Sequence, residues 1–233
     1  MGRLVVITGA SRGLGLALVE HFVAKGDTVY GLSRGMSDFQ HENYRHHEVD
    51  VTDESALTLF FRELKSQASH IDVLINNAGI ASMNAFAITP SKTSERIFDV
   101  NVHGTALCCQ RALSLLKRSE SPRIINFTTV AVPLLLEGEA VYAASKSAVE
   151  TLTKILAKEY GHFGITCNAV GPSPIATALI QSVPKDKIDR LIRKQAVKRM
   201  AEASDVLNVV DFFAKPESHM ITGQLLYLGG VSQ

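Results

Sequence analysis

The octet Thr8-Gly9-Ala10-Ser11-Arg12-Gly13-Leu14-Gly15 constrains this chain more than any other stretch. Apolar residues 4–7 precede it and Leu14, Leu18 and Phe22 follow at helical spacing, so three glycines in the pattern G-x-x-x-G-x-G occupy the turn from a first strand into a first helix. Glycine there lets the backbone turn tightly and approach a pyrophosphate, whose charge is favoured at the positive end of the helix that follows. A plain glycine-rich turn explains the glycines but not their place between strand and helix.

Apolar runs of strand length recur at 4–7, 28–32, 73–75, 124–127 and 165–170, each separated by enough chain for a helix, with a short extra strand expected near 47–49. Leu57, Phe60, Phe61 and Leu64 give the second helical stripe. Strands this apolar and unalternated are expected where helices cover both faces of a sheet. The fold class is therefore α/β, a doubly wound parallel sheet flanked by helices on both faces, with ligands at the carboxyl edge. A chain of 233 residues with no polar linker, repeat or low-complexity tract reads as a single domain over 1–233. Its least regular part, from Gly171 to about Pro184, opens a lid-like segment at approximately 171–200.

Composition removes several classes. A net charge of +1 gives no global attraction to nucleic acid or an anionic membrane, and no apolar run approaches the length of a membrane span. The apolar stretch 4–7 is too short for a signal peptide. The three cysteines, Cys108, Cys109 and Cys167, form no C-x-x-C pair, which suggests reduced thiols and a cytoplasmic location. Cys108 and Cys109 lie in an apolar helical pattern and read as small buried hydrophobes.

Tyr142-Ala143-Ala144-Ser145-Lys146 opens a further helix, and i,i+4 spacing puts the phenol and the ammonium on one face. A nearby ammonium favours the phenolate, as proton exchange by tyrosine near neutral pH requires. Tyrosine and lysine at this spacing are also ordinary surface neighbours on many helices. Nucleotide preference can be argued from the end of the second strand, Gly31-Leu32-Ser33-Arg34, where an acidic residue would hold ribose hydroxyls and repel a 2′-phosphate. No carboxylate is present. Arg34 offers a permanently charged planar fork, and Arg12 can close on the same phosphate from the glycine turn. Either arginine alone also reads as a solvated surface charge; the pair and the missing acid favour NADP(H) over NAD(H).

The glycine turn, Asp50, Asn76-Asn77-Ala78-Gly79 and Tyr142-x-x-x-Lys146, in this order, resemble the short-chain dehydrogenase/reductase family, and the similarity extends to Ile221-Thr222-Gly223-Gln224 and Gly229-Gly230. The resemblance implies a single-domain Rossmann oxidoreductase acting on carbonyl or secondary alcohol groups. It assigns Tyr142 as general acid/base and Lys146 as its partner on the nicotinamide ribose. Asn101 becomes the anchor of a water in a proton relay that also runs through the ribose hydroxyl. Thr129 stands where the family has a serine that binds the substrate oxygen. The implied catalytic set is thus Tyr142, Lys146, Thr129 and Asn101. The implied cofactor set is Gly9, Ser11, Arg12, Gly13, Leu14, Gly15, Ser33, Arg34, Asp50, Val51, Asn77, Ala78, Gly79, Tyr142, Lys146, Ile175 and Thr177. No metal is expected. Asn101 also reads as an amide satisfying backbone groups at a helix irregularity.

Two departures stand out. Thr129 keeps the hydroxyl but adds a methyl that stiffens χ1 and narrows the pocket. Ser173, in Gly171-Pro172-Ser173-Pro174-Ile175, replaces the family's glycine, and the two prolines stiffen the loop.

Substrate identity is less constrained. Val132-Pro133-Leu134-Leu135-Leu136 forms either an apolar pocket wall or a subunit contact. Lys185, Lys187, Arg190, Arg193, Lys194, Lys198 and Arg199 against Asp186 and Asp189 leave a local excess of five positive charges. That excess suits an acidic carrier, as in the 3-oxoacyl-acyl-carrier-protein reductases the family includes; it equally suits a solvated face above Ile188, Leu191 and Ile192. The alternatives are a reductase or dehydrogenase of a free sugar, polyol or other small alcohol, and an NADP(H)-binding regulatory protein with weak or lost catalysis. The resemblance implies a homodimer or homotetramer built on helices around 94–117 and 140–160.

Overall fold

The computed structural model describes residues 2–176 and 183–231. The apolar runs become strands β1 (Leu4–Thr8), β2 (Thr28–Ser33), β4 (Val73–Asn76), β5 (Arg123–Phe127) and β6 (Thr166–Gly171), joined by β3 (Tyr44–Glu48) and β7 (Leu225–Tyr227). All seven lie parallel in the order β3-β2-β1-β4-β5-β6-β7. The chain order reverses between β1 and β4, the switch point at whose carboxyl edge a doubly wound sheet binds ligands.

Successive side chains on a strand point to opposite faces, and helices cover both. Val5 and Ile7 pack with Leu18, Phe22, Val206, Val210 and Phe213, beneath α1 (Gly13–Ala24) and α8 (Ala203–Ala214). Val6 and Leu74 pack on the other face with Leu57, Phe60, Leu64, Cys108, Leu115 and Leu156, beneath α2 (Glu54–Gln67), α4 (Gly104–Leu116) and α6 (Ala140–Tyr160). This two-sided burial is why the strands carry no alternation of polar and apolar residues. All three cysteines are buried in the second layer, and burial pushes the Cys109 thiol up to about 12 and those of Cys108 and Cys167 well above the usual thiol range. They are hydrophobes there, not reactive thiols.

Local chemistry sets the ends of several helices. Asp53 caps α2, its Oδ1 accepting from Ala56 N at 2.9 Å. Glu202 and Asp205 form a reciprocal capping box at α8.

Two expectations shift. The short strand falls at Tyr44–Glu48 rather than 47–49: it is an edge strand, and its polar run YRHHE hides it from a hydrophobicity reading. The helix expected over 94–117 is broken into α3 (Ser91–Phe98), a π-helical stretch (Asp99–His103) and α4. Beyond β6 come the short α5 (Ala131–Leu134), which precedes α6, and α7 (Lys185–Lys194), which has no buried residue.

Candidate active site

The glycine turn is built by close approach. Gly9 sits at φ +70° and donates to Leu32 O at 2.7 Å, closing β1 onto β2. A Cβ on Gly15 would stand 2.0 Å from Gly9 O and 2.6 Å from Asn77 Nδ2, so α1 can pack against the turn only as glycine there. Asn77 Nδ2 donates to Thr8 O at 3.0 Å and to Gly9 O at 3.3 Å, and Ala78 N donates to Thr8 Oγ1 at 3.0 Å. The ends of β1 and β4 are thus laced together at the switch point.

The opening of α1 carries no acidic side chain and no side-chain cap, so its first N–H groups face the turn. Arg12 and Arg34 are exposed at the rim, and neither has a carboxylate partner among the described residues. Ser33 is buried beside Arg34 at the end of β2, which carries no acid of its own there, and stands in register with the exposed Glu48 of β3. A glycine cradle, a free helix start and two unpaired guanidinium groups together fit a phosphorylated dinucleotide. Ser11, Gly13 and Leu14 lie in the same turn. Asp50 is folded onto its own chain, Oδ1 accepting from Thr52 N and Thr52 Oγ1, both at 2.9 Å. Val51 is buried, and its side chain would stand 2.7 Å from a Cβ on Gly104.

The second half of the site lies where β4, β5 and α6 meet. Asn101 falls inside the π-helical stretch and is fully buried. Its Oδ1 accepts from Ile80 N at 2.9 Å, and its Nδ2 donates to Ile80 O at 3.0 Å and to Ser145 Oγ at 3.0 Å. The amide therefore satisfies backbone at a helix irregularity. Ser145 Oγ donates in turn to Tyr142 O at 2.7 Å, so Asn101 is coupled to the first turns of α6. A Cβ on Gly79 would lie 3.3 Å from both Asn101 Oδ1 and Lys146 Nζ, which puts the amide, the ammonium and the Gly79 backbone around one point.

Tyr142, Lys146 and Thr129 are all buried. Lys146 Nζ donates to Phe127 O at 2.8 Å, which ties α6 to the end of β5. Thr129 Oγ1 accepts from Ala131 N at 3.2 Å. Burial pushes Tyr142 up to about 12, the Glu139 carboxylate adds to that, and the Thr129 hydroxyl pulls the other way. Burial alone depresses Lys146 to about 8. The expected stabilisation of a phenolate by Lys146 does not figure among the influences on Tyr142: desolvation dominates, and the phenol is neutral at neutral pH.

Glu139 stands three residues before Tyr142, where α6 begins, and makes no side-chain cap bond. Burial raises its carboxyl and Lys187 of α7 opposes that shift. A Cβ on Gly138 would lie 3.6 Å from Lys187 Nζ, so α7 reaches over the loop that leads into Tyr142. On α7 and just beyond, part of the positive charge is already engaged: Arg190 pairs with Asp186 at 3.3 Å and Arg199 pairs with Asp205. Ile175 pairs with Ala201 across an isolated parallel bridge, while Thr177 lies outside the described residues. In the apolar stretch 132–136, Val132 to Leu134 are half-buried and Leu135 is 83% exposed.

The sequence reading missed Ser145, Glu139 and Thr8. Ser145 and Thr8 sit inside motifs it had identified, but their roles are contacts with segments 44 and 70 residues away.

The family model described as enoyl-(acyl carrier protein) reductase matches residues 9–231. A 3-oxoacyl-[acyl-carrier-protein] reductase, FabG, of Staphylococcus epidermidis is 30% identical over 240 residues, covering 99% of this chain and 98% of the relative. Among solved structures, the ligand-free aldohexose dehydrogenase of Thermoplasma acidophilum superposes with a TM-score of 0.90 at 31% identity, over 99% of this chain and 94% of that one. ElxO with NADP bound superposes with a TM-score of 0.89 at 26% identity, over 99% and 98%.

Proposed function

The chain belongs to the short-chain dehydrogenase/reductase family of oxidoreductases, and we propose that within it this protein is an NADP(H)-dependent enzyme that reduces a carbonyl group or oxidises the corresponding secondary alcohol. The observation that carries this reading is the burial of Tyr142, Thr129 and Lys146 around the end of β5 and the start of α6, with Thr129 acting on the Tyr142 phenol and Lys146 Nζ beside the Gly79 backbone, next to a turn that fits a dinucleotide. The preference for NADP(H) is supported by Arg12 and Arg34, both without carboxylate partners, and by the missing acid after β2.

The bound nicotinamide supplies the hydride. The chain's own groups hold the substrate oxygen between Tyr142 and Thr129, and the Tyr142 O–H donates its proton to that oxygen as negative charge develops. A phenol near 12 stays protonated until an alkoxide forms, which suits reduction. Lys146, depressed to about 8, gives up a proton more readily than an exposed lysine and so serves as the local proton reservoir. The Asn101–Ser145 bonds keep the start of α6 in register with the Gly79 turn. A lid role for the segment 171–200, of which residues 177–182 lie outside the described residues, is supported by the Ile175–Ala201 bridge and the reach of Lys187 to Gly138.

For substrate, a 3-oxoacyl thioester is favoured by the basic α7 and by the likeness to 3-oxoacyl-carrier reductases. A free sugar or polyol is the second reading. It is supported by the Glu139 carboxylate beside Tyr142, which would accept bonds from hydroxyl groups, and by the likeness to an aldohexose dehydrogenase. A homodimer or homotetramer through α4 and α6 is proposed, with Ile155, 47% exposed on α6, as an apolar side chain such a contact would cover. Among the described residues no helix is long and apolar enough to cross a membrane, and the buried thiols fit a cytoplasmic setting.

The test titrates purified protein with NADPH and NADH by fluorescence, then follows NADPH oxidation against a 3-oxoacyl thioester, simple ketones and keto sugars, with wild type beside Tyr142→Phe. Tighter NADPH binding and turnover that Tyr142→Phe abolishes are expected. Binding without turnover on any compound would favour a regulatory role, and preference for NADH would overturn the reading of the arginines.

A further inference from the structure

The end of β2 and the neighbouring β3 contain a hydrogen-bond cluster that the proposed reaction does not use. Gly35 O accepts two bonds, one from Ser33 Oγ at 2.7 Å and one from His46 Nε2 at 2.9 Å. A carbonyl can only accept, so the proton sits on Nε2 of His46. In the neutral ring Nδ1 is then an acceptor, and the Tyr44 hydroxyl lies 2.8 Å from it as donor. Tyr44 is held in place by the sheet: it is buried, and its Oη would stand 2.5 Å from a Cβ on Gly31 of β2. His46 Nε2 is also 3.3 Å from Ser33 Oγ, within reach of a shared bond. Tyr44, His46, Gly35 and Ser33 thus form one hydrogen-bonded cluster, with two donors converging on the Gly35 carbonyl, and Ser33 is the residue immediately before Arg34.

The proton count gives this cluster a purpose. Ser33 has one hydroxyl proton, and here Gly35 O holds it. A phosphate at Arg34 carries only acceptors, so Ser33 can contribute to it only by turning that proton away from Gly35 O. Gly35 O is not left bare by the turn, because His46 Nε2–H still donates to it. We propose that His46 is a positioning residue for the 2′-phosphate of the nucleotide: it holds the Ser33–Gly35 turn and frees the Ser33 hydroxyl to donate to the phosphate. The inference rests on the NADP(H) reading and deepens it. Ser33 and Arg34 are the groups that touch the phosphate, and His46 acts through them.

The experiment measures dissociation constants for NADPH and NADH by fluorescence, without substrate, for wild type, His46→Ala, Ser33→Ala and the double variant. Loss of one net hydrogen bond corresponds to about fivefold in affinity. His46→Ala is expected to weaken NADPH about fivefold and leave NADH within about twofold. On the Ser33→Ala background the same substitution is expected to change NADPH binding by less than about twofold, because the hydroxyl it would free is gone. A merely structural histidine would weaken both nucleotides alike, and that result, or full additivity with Ser33→Ala, overturns the proposal. If His46→Ala does not fold, Tyr44→Phe asks the same question by removing the donor to Nδ1: a selective loss for NADPH supports the proposal, and unchanged NADPH binding overturns it. A wild type that binds NADH as tightly as NADPH refutes the NADP(H) reading itself. A wild type selective for NADPH whose selectivity survives His46→Ala refutes only the role of His46.

Discussion

Substituting Gly15 by alanine tests the architecture of the cofactor cradle most directly. The new Cβ would stand 2.0 Å from Gly9 O, 2.6 Å from Asn77 Nδ2 and 2.8 Å from Gly9 C, against an ordinary contact limit of 3.4 Å. Two of those three atoms are backbone, so relief requires the turn and α1 to separate by more than an ångström. Separation on that scale breaks the Asn77 Nδ2 bonds to Thr8 O and Gly9 O, at about 1 kcal/mol each. Overpacking adds about 1 kcal/mol or more. The sum, about 3 kcal/mol, should appear as a lower urea midpoint with an unchanged slope. Because the displaced backbone is the surface proposed to meet the pyrophosphate, NADPH affinity should fall about a hundredfold. Gly26→Ala is the control: Gly26 also has positive φ, at +82°, but nothing lies within 4 Å of its missing Cβ. It should cost about 1 kcal/mol of backbone strain and leave nucleotide binding unchanged. If Gly15→Ala binds NADPH within threefold of wild type and unfolds at the same urea concentration, the close-approach account of this turn is wrong.

Other outcomes follow from the buried groups. Tyr142→Phe should lower kcat by roughly 10²- to 10⁴-fold in the reductive assay while NADPH affinity stays within about twofold, since the phenol acts on substrate. Lys146 titrates near 8 when folded against an ordinary value of 10.5, so between those pH values the unfolded chain binds more protons and wild-type stability rises with pH. Urea unfolding of wild type and Lys146→Met at pH 7, 9 and 10 should therefore show their difference moving in favour of wild type by up to about 1.4 kcal/mol per pH unit; a flat difference would show that burial does not depress this lysine. Thr129→Ser should keep kcat within a few fold because the hydroxyl survives, whereas Thr129→Val should lose about tenfold or more; equal kcat for both would remove Thr129 from the site. Asp53→Ala deletes the cap on α2 and should cost about 1 kcal/mol in thermal or urea unfolding with no change in nucleotide binding.

Much of the fold was legible in the chain because two of its signals are local. The unalternated apolar strands at 4–7 and 124–127 require cover on both faces, and the glycine spacing after the first requires a turn pressed against a helix. The spacing of Tyr142 and Lys146 is likewise a property of one helix. β3 was misplaced because its residues, YRHHE, are polar at the sheet edge, where pairing rather than burial makes the strand. The break in the 94–117 helix showed in the sequence only through Asn101, which read as an amide at a helix irregularity; its form and extent did not. No proline or glycine pair marks it, and the π-helical turn is held by Asn101 bonding to Ile80, 21 residues away.

The sequence by itself determined the layers, the glycine turn between the first strand and the first helix, and the placing of Tyr142 and Lys146 on one helix face, because each depends on periodicity or spacing within about twenty residues. Tertiary structure alone decided the electrostatics and the partnerships. Packing β5, α6 and the Gly79 turn together desolvates Tyr142 and Lys146 and drives their proton affinities in opposite directions. The same packing sets Glu139 near the phenol, binds Asn101 to Ser145, and places His46 under the Ser33 turn. A pKa or a hydrogen bond depends on which atoms are excluded from water and which are brought within about 3 Å, and the folded chain sets both through contacts distant in sequence.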